Sequence, residues 1–194
     1  MNKLILIPAF VIMVIAQWFF PGRMIYQKET IVRQGKEFLF KSAPVDPNEP
    51  LMGKYIDLSF DVTEFEVPRE SAWNGGDQIY VKLTNDENGL AKIASITHDA
   101  PGPTEDFIKA NISYIYEDSI KKVIIDYPFN RFYMEESIAT HAETAYRESA
   151  RDTTSTTVAV ISVRNGEAVI KNVLIDGVPI REVARLRRDL QEQN

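Results

Sequence analysis

The stretch that decides the fold is "VAVISVRNGEAVIKNVLI", residues 158–175. Two runs rich in valine and isoleucine flank Asn165-Gly166 in this stretch. Asparagine and glycine both tolerate the positive φ that a two-residue hairpin turn requires. Branched apolar runs on either side of such a turn predict two antiparallel strands. The segment therefore indicates an antiparallel β fold.

Alternating patterns continue through most of the chain before this hairpin. Residues 24–33, a break at Gln34-Gly35 and "KEFLFK" at 36–41 together predict another hairpin. "KYIDLSFDV" at 54–62 predicts one strand with a core face and a solvated face. Antiparallel strands are also predicted at 79–83, 91–98, 108–116 and 123–127.

Two segments change to helical spacing. Between residues 137 and 150 the apolar stripe comprises Ile138, Ala142, Ala145 and Tyr146. In the arginine-rich tail it comprises Ile180, Val183, Leu186 and Leu190. A basic amphipathic tail helix could touch anionic lipid or a partner, or dock its stripe on the domain. We predict a mainly β protein: one antiparallel β-rich domain, barrel-like or sandwich-like, with one or two short helices.

The N-terminus is a predicted transmembrane helix. Residues 4–20 form an apolar run long enough to cross a bilayer. Trp18, Phe19 and Phe20 stand where a cleaved signal peptide needs small residues, which favours an uncleaved anchor in membrane lipid. Lys3 and the amino terminus lie on one flank, and Arg23, Lys28, Arg33 and Lys36 lie on the other, so charge alone would favour a cytoplasmic domain. The predicted organisation is an anchor at 1–23, a β-rich domain at 24–177 and a basic amphipathic helix at 178–194.

Composition narrows the function classes. The 22 basic and 28 acidic residues give a net charge of -6, which disfavours nucleic-acid binding. The sequence has no cysteine, which removes disulfides and thiol chemistry. His98 and His141 lie far apart and show no metal-ligand spacing, so we predict no metal site and no cofactor.

One catalytic hypothesis is a membrane-bound hydrolase, for example a serine-lysine peptidase of the signal-peptidase type. Ser42 would be its nucleophile, and Lys82 or Lys92 would be a base with a pKa lowered by burial. Serine and lysine are common surface residues, and neither lysine lies in a motif.

A second hypothesis is a carboxylate site. Asp57 and Asp61 share a predicted strand face with Tyr55, and Glu136 could converge on them in the fold. The alternative is an ordinary solvated strand face, which typically shows such alternation of charged and small polar residues.

The segment "GKYIDLSF", residues 53–60, resembles the motif that names the GDYXXLXY family of membrane-anchored bacterial proteins. Gly53, Tyr55 and Leu58 fit that motif. Lys54 stands where the family has aspartate, and Phe60 stands where it has a final tyrosine. A family aspartate that acted as a general acid or base could not be replaced by lysine.

Three further segments are similar to the same family. "PVDP" precedes the glycine and supplies Pro44, Asp46 and Pro47. "RFYMEES" places Glu136 at the family's acidic position, and "NGEAVIKNVLIDG" resembles its terminal hairpin. The likeness extends to about Gly177 and omits the arginine-rich tail.

The resemblance implies a single-pass membrane protein with its domain outside the cytoplasm and a polytopic membrane protein as partner. It implies no known reaction. We therefore expect a binding or scaffold module rather than an enzyme, with the proline-rich segment "APVDPNEP" at 43–50 as a rigid surface. The candidate binding residues are Pro44, Asp46, Pro47, Gly53, Tyr55, Asp57, Leu58, Phe60 and Glu136.

Overall fold

A computed structural model of the protein describes residues 3–43, 55–102, 105–118, 120–152 and 154–192. Its helices are α1 (Lys3–Gln34), α2 (Glu136–Arg151) and α3 (Ile180–Glu192). Its strands are β1 (Lys36–Ala43), β2 (Tyr55–Asp57), β3 (Ser59–Phe60), β4 (Glu64–Val67), β5 (Gln78–Asn85), β6 (Ala91–Thr97), β7 (Phe107–Glu117), β8 (Lys121–Asp126), β9 (Arg131–Tyr133), β10 (Thr157–Arg164), β11 (Glu167–Ile175) and β12 (Val178–Pro179).

The predicted hairpin is confirmed as β10 and β11, which pair antiparallel. Asn165 has a φ of 52° and Gly166 a φ of 81°, so both turn residues adopt the left-handed conformation that this turn needs. The Gly166 carbonyl accepts a hydrogen bond of 2.9 Å from the Lys109 backbone amide of β7. The turn therefore joins its own sheet to the neighbouring one.

The strands form two five-stranded sheets and one two-stranded pair. The first sheet has the order β12-β11-β10-β1-β3, the second has the order β4-β8-β7-β5-β6, and β2 pairs with β9. The strand pairs are antiparallel. The edge strands β4 and β6 line one hollow, because the second sheet curls towards closure. The predicted mainly β, antiparallel fold with one or two short helices is confirmed. Of the two predicted alternatives, barrel-like and sandwich-like, the nearly closed sheet corresponds to the barrel-like one, and two helices follow α1 in the described residues.

The core lies between the two sheets and beneath α2. The Phe40 ring of β1 makes edge-on contacts with Phe60, Tyr127 and Phe129 at centroid distances of 5.4, 5.5 and 5.6 Å. The predicted stripe of α2 is buried against this core. Aromatic rings of this size bury much apolar surface each, so this cluster is a main source of stability.

The predicted strand at 24–33 is wrong, because α1 continues through this segment to Gln34. Its polar residues are good helix formers, and Glu29 forms an i,i+4 ion pair of 2.7 Å with Arg33. A helix satisfies its backbone groups internally, whereas a strand here would need a partner strand. The proposed boundary after residue 23 stays a prediction, although α1 crosses it without a break.

The end of α1 is fixed against β10. The Ile31 carbonyl accepts hydrogen bonds from the Gly35 backbone amide at 2.8 Å and from the buried Ser162 hydroxyl at 2.6 Å. A Cβ on Gly35 would overlap both the Ser162 hydroxyl and the Ile31 carbonyl. Lys28 also forms an ion pair of 2.8 Å with Glu167. The helix therefore enters the domain at a tightly packed joint.

The predicted strand at 54–62 has the right faces, but the structure divides it into two strands. Ile56, Leu58 and Phe60 are buried, whereas Asp57 and its alternating neighbours Ser59 and Asp61 are exposed. The segment divides into β2, which pairs with β9, and β3, which pairs with β1. Between them the Leu58 amide donates to the Asn130 carbonyl at 2.7 Å. It divides because two different strands lie beside it.

The tail is helical, but its docked face differs from the predicted stripe. Ile180 and Ala184 are fully buried, whereas Leu186 is 60% and Leu190 is 62% exposed. Arg187 reaches α2 and forms an ion pair of 2.5 Å with Glu148. The Arg187 guanidinium lowers the pKa of the Glu148 carboxyl group through this hydrogen bond. Docking on α2 therefore uses only the first half of the predicted apolar stripe.

Gly35→Ala tests the joint between α1 and the β-rich domain. Overpacking at this glycine should lower the free energy of unfolding by about 1 to 3 kcal/mol. Gly22→Ala is the matched control, because a Cβ at Gly22 would meet nothing within 4 Å. Denaturant unfolding of the full chain in detergent measures both, and equal stability of the two variants would contradict the packed joint.

Tyr127→Phe tests a buried hydroxyl. Among the described residues, the Tyr127 hydroxyl has no hydrogen-bond partner, and burial raises the pKa of this phenol well above its usual value. Removing the hydroxyl should stabilise the protein by up to about 1 to 3 kcal/mol at neutral pH. The advantage should grow above about pH 10, where the unfolded phenol ionises and the buried one does not.

The control for this prediction is Tyr133→Phe, because the Tyr133 side chain is exposed. Thermal unfolding between neutral and alkaline pH is the measurement. A lower melting temperature for Tyr127→Phe at neutral pH would show that its hydroxyl has a stabilising partner.

Candidate functional site

Two family-like segments lie side by side. β2 belongs to "GKYIDLSF" and β9 belongs to "RFYMEES", and the two strands pair antiparallel. The register places Tyr55 opposite Tyr133 and Asp57 opposite Arg131. Alternation sends these residues to one face of the pair, while Ile56 and its partner face the core.

The outer face of this pair carries a cluster of two tyrosines and an arginine. The Tyr55 and Tyr133 rings have centroids 5.4 Å apart, and the Arg131 guanidinium lies 4.8 Å from the Tyr55 ring centroid. Arg131 and Tyr133 are exposed, and Tyr55 is half-buried. We call Tyr55, Arg131 and Tyr133 the tyrosine–arginine cluster. A guanidinium over a ring face is an attractive cation–π contact that helps to fix both side chains.

The cluster rests on α3 as well as on the core. Arg181 of α3 donates a hydrogen bond of 3.0 Å to the Tyr133 carbonyl, and its guanidinium lies 4.7 Å from the Phe132 ring centroid. Arg185 forms an ion pair of 3.4 Å with Glu135 just after β9. The tail helix therefore positions the strand that carries Arg131.

Ser42 lies near the cluster and contacts a tyrosine. Its hydroxyl lies 2.5 Å from the Tyr146 hydroxyl of α2 and donates to the Ser59 carbonyl at 3.2 Å. Burial raises the pKa of the Tyr146 phenol, and the nearby Asp57 charge raises it further, although the hydrogen bond to Ser42 opposes this. The Ser42 hydroxyl is thus paired with a phenol of α2.

The two lysines proposed as bases have other surroundings. Lys82 forms an ion pair of 2.6 Å with Glu105, and Lys92 lines the hollow between β4 and β6. Neither contact involves Ser42. The arrangement of the described residues therefore gives no support to a serine-lysine dyad.

The proposed carboxylates lie on the surface. Asp57 and Asp61 are exposed, and Asp61 forms an ion pair of 3.5 Å with Lys41. Glu136 is exposed in the first turn of α2. A carboxylate there interacts favourably with the positive end of the helix dipole and so stabilises the helix. The exposure of the two aspartates favours the solvated-face interpretation of this strand.

Neither histidine belongs to a recognisable metal site. His98 stacks on Trp73 with ring centroids 4.1 Å apart, and His141 lies on α2. Within the part of the chain that the structure describes, no group of three or more His, Asp or Glu residues could hold a metal ion. Pro44, Asp46, Pro47 and Gly53 lie outside the described residues, as does the proline-rich segment.

Three residues at this site, Arg131, Tyr133 and Arg181, were not among the predicted site residues. Arg131 and Tyr133 lie within "RFYMEES", the segment in which only Glu136 was predicted as a site residue. The segment's alternation could have indicated a short strand whose outer residues are Arg131 and Tyr133. No local pattern connects Arg181 with β9, because that contact joins segments far apart in the chain.

A protein-family model described as "GDYXXLXY protein" matches residues 17–173, which is most of the chain. This chain belongs to the GDYXXLXY protein family. Comparisons with curated proteins and with solved structures found no match. The family match begins within α1 and ends within β11, so α3 of this GDYXXLXY protein lies outside it.

The burial of Phe60 explains one departure from the family motif. The motif has a final tyrosine there, but this GDYXXLXY protein buries the side chain against Phe40 and Phe129. A hydroxyl in that position would need a hydrogen-bond partner, whereas phenylalanine needs none. The motif thus combines core residues with the surface residue Tyr55.

Leu58→Ala separates the core residues of the motif from its surface residues. Leu58 is 3% exposed, so its truncation should lower the free energy of unfolding by about 2 to 5 kcal/mol. Leu186→Ala is the control, because this exposed leucine should change stability by less than about 0.5 kcal/mol. Denaturant unfolding measures both variants. A Leu58→Ala protein as stable as the control would show that the motif leucine is not a core residue.

Proposed function

We propose that this GDYXXLXY protein is a membrane-anchored binding module that acts with a polytopic membrane protein, and that its domain lies outside the cytoplasm. We further propose that the tyrosine–arginine cluster is its contact surface. The observation that carries the proposal is the pairing of the two family-like segments, which presents Arg131 and Tyr133 on one exposed face.

The anchor supports the membrane part of this proposal. Within the described residues, one helix, Ile7–Gln34, is long and apolar enough to cross a membrane, and its most apolar 18-residue window is not buried in the protein. Large apolar side chains such as Trp18 and Phe20 are exposed along it. In water such a surface would be costly, whereas lipid or the helices of another membrane protein would cover it.

Because the joint at Ile31 fixes α1 against β10, it would also hold the cluster at a fixed position relative to the membrane. β1 begins at Lys36, just after α1, and its seventh residue, Ser42, pairs with Phe60 of β3. At about 3.3 Å a residue, Ser42 lies about 20 Å along β1 from Lys36. β2, which carries Tyr55, directly precedes β3, so we place the cluster near this far end of β1. A partner would therefore contact it through a part that projects from the bilayer, while its membrane helices could pack on α1.

The chemistry of the cluster suits a protein partner. Tyrosine and arginine are enriched among the residues that dominate binding energy at protein interfaces. Their contact with each other and the support from Arg181 limit the side-chain freedom that binding would otherwise remove. The exposed Arg131 guanidinium favours an acidic or aromatic surface on the partner.

Co-purification from the native membrane tests the proposal. A tagged full chain at native expression, solubilised in mild detergent, should enrich one polytopic membrane protein, measured by quantitative mass spectrometry. Arg131→Ala and Tyr133→Ala should each reduce that enrichment, with an expected affinity loss of about 10- to 30-fold for a dominant contact. Tyr114→Ala is the matched control, because Tyr114 is an exposed tyrosine on β7.

Two outcomes would contradict the proposal. If no polytopic protein is enriched above the level of an untagged strain, the proposed partner is contradicted. If both cluster variants retain the partner fully, the cluster is not the contact surface. Labelling of domain lysines in intact cells with a membrane-impermeant reagent tests the location separately, since a cytoplasmic domain would be labelled only after lysis.

A further inference from the structure

The second sheet leaves an opening between its edge strands β4 and β6. A hollow of about 350 Å³ lies there, lined on one side by Glu64, Phe65 and Glu66 and on the other by Lys92 and Ile93. Of the strands that the structure describes, none other than β8 pairs with β4 and none other than β5 pairs with β6. Leu90, just before β6, bridges to Leu39 of β1, so the start of the β6 edge is covered. Further along, the described residues leave a hollow between Glu64 to Glu66 of β4 and Ile93 of β6.

Backbone groups of β4 face this space. The Ile125 amide donates to the Thr63 carbonyl at 2.8 Å, which fixes the alternation of hydrogen bonds between β4 and β8. In an antiparallel pair the intervening residues turn their amide and carbonyl groups away from the partner strand. The backbone groups of Glu64 and Glu66 consequently point towards the open side, where an added strand would pair with them.

Backbone groups of β6 also face this space, at Ile93. The Asp86 amide donates to the Leu90 carbonyl at 2.8 Å. Hydrogen bonds in an antiparallel pair involve every second residue, so Lys92 bonds to β5 and Ile93 does not. The opposite residue Leu83 confirms this, because its amide donates to the Asp106 carbonyl instead. The backbone of Ile93 therefore also faces outwards.

The charged and apolar residues that line the hollow indicate which kind of segment would fit there. Glu64, Glu66 and Asp86 surround the hollow, with Lys92 as the single basic lining residue. Glu64 is neutralised in part by Lys122 at 3.2 Å, whereas Glu66 has no ion-pair partner among the described residues. The inner wall is apolar, with Phe65 and Ile93. An extended segment that alternates basic and apolar residues would match both features.

We propose that β4 binds an extended, basic segment of a protein partner by strand addition across the opening between β4 and β6. Exposed sheet edges are templates for strand addition, in which main-chain hydrogen bonds give affinity and side-chain pockets give specificity. A second copy of this chain is a poorer occupant, because edge-to-edge pairing would bring like charges of β4 together. This surface is separate from the tyrosine–arginine cluster.

Amide exchange with a defined probe tests the proposal. The full chain in nanodiscs is mixed with a synthetic octapeptide of alternating lysine and valine, and with a glutamate–valine octapeptide as the charge control. The lysine–valine peptide should slow exchange at the Glu64 and Glu66 amides by about tenfold or more, in proportion to its occupancy. The glutamate–valine peptide should leave both amides unchanged.

Variants separate backbone pairing from charge attraction. Glu66→Pro removes an outward amide and should weaken peptide binding by about tenfold or more, whereas Glu66→Gln keeps the amide and should weaken it less. Unchanged exchange in β7 would show that the proline variant is folded. Arg131→Ala should bind the peptide normally, which keeps this test distinct from the proposed partner surface.

Several outcomes would overturn strand addition. They are unchanged exchange at Glu64 and Glu66 with bound peptide, equal protection by the glutamate–valine peptide, and equal weakening by Glu66→Gln and a folded Glu66→Pro. Protection without peptide that increases with protein concentration would assign the edge to a second copy of the chain instead.

Discussion

The fold depends on the burial of β10 on both faces. β10 pairs with β1 and β11, and its residues Ala159, Ile161 and Ser162 are fully buried. An apolar strand can fill such a position only if each polar group finds a partner. Ser162 meets this condition by donating to the Ile31 carbonyl, so the strand at the centre of the sheet also fixes the end of α1.

The paired family-like segments also serve two parts of the structure. Leu58 and Phe60 belong to the core, while the strand just before them turns Tyr55 outwards beside Arg131. A short stretch thereby links the interior of the domain to an exposed surface. Arg181 adds a segment outside the family match to the support of that surface. The tail of this chain is therefore an element of the site's architecture as well as an amphipathic helix.

Curling of the second sheet has a different consequence. It brings β4 and β6 to either side of one hollow without pairing them, so hydrogen-bonding groups remain directed towards a space with an apolar wall. Short strands and outward glutamates are common means by which proteins protect exposed edges. Here the same edge borders a hollow with space for an added strand, and the proposed strand addition rests on this arrangement.

By itself the sequence determined features that depend on neighbouring residues: the Asn165-Gly166 turn, the alternating faces from Ile56 to Asp61, and the buried stripe of α2. Each follows from local dihedral preference or a short period. The helix at 24–33 follows from good helix formers and the local Glu29–Arg33 pair, which the alternating pattern did not indicate. The tertiary structure decided that β2 and β3 have different partner strands, and that Ser42 meets Tyr146. The strand partners and the Ser42–Tyr146 contact depend on distant segments, where several local patterns are compatible and only packing selects one.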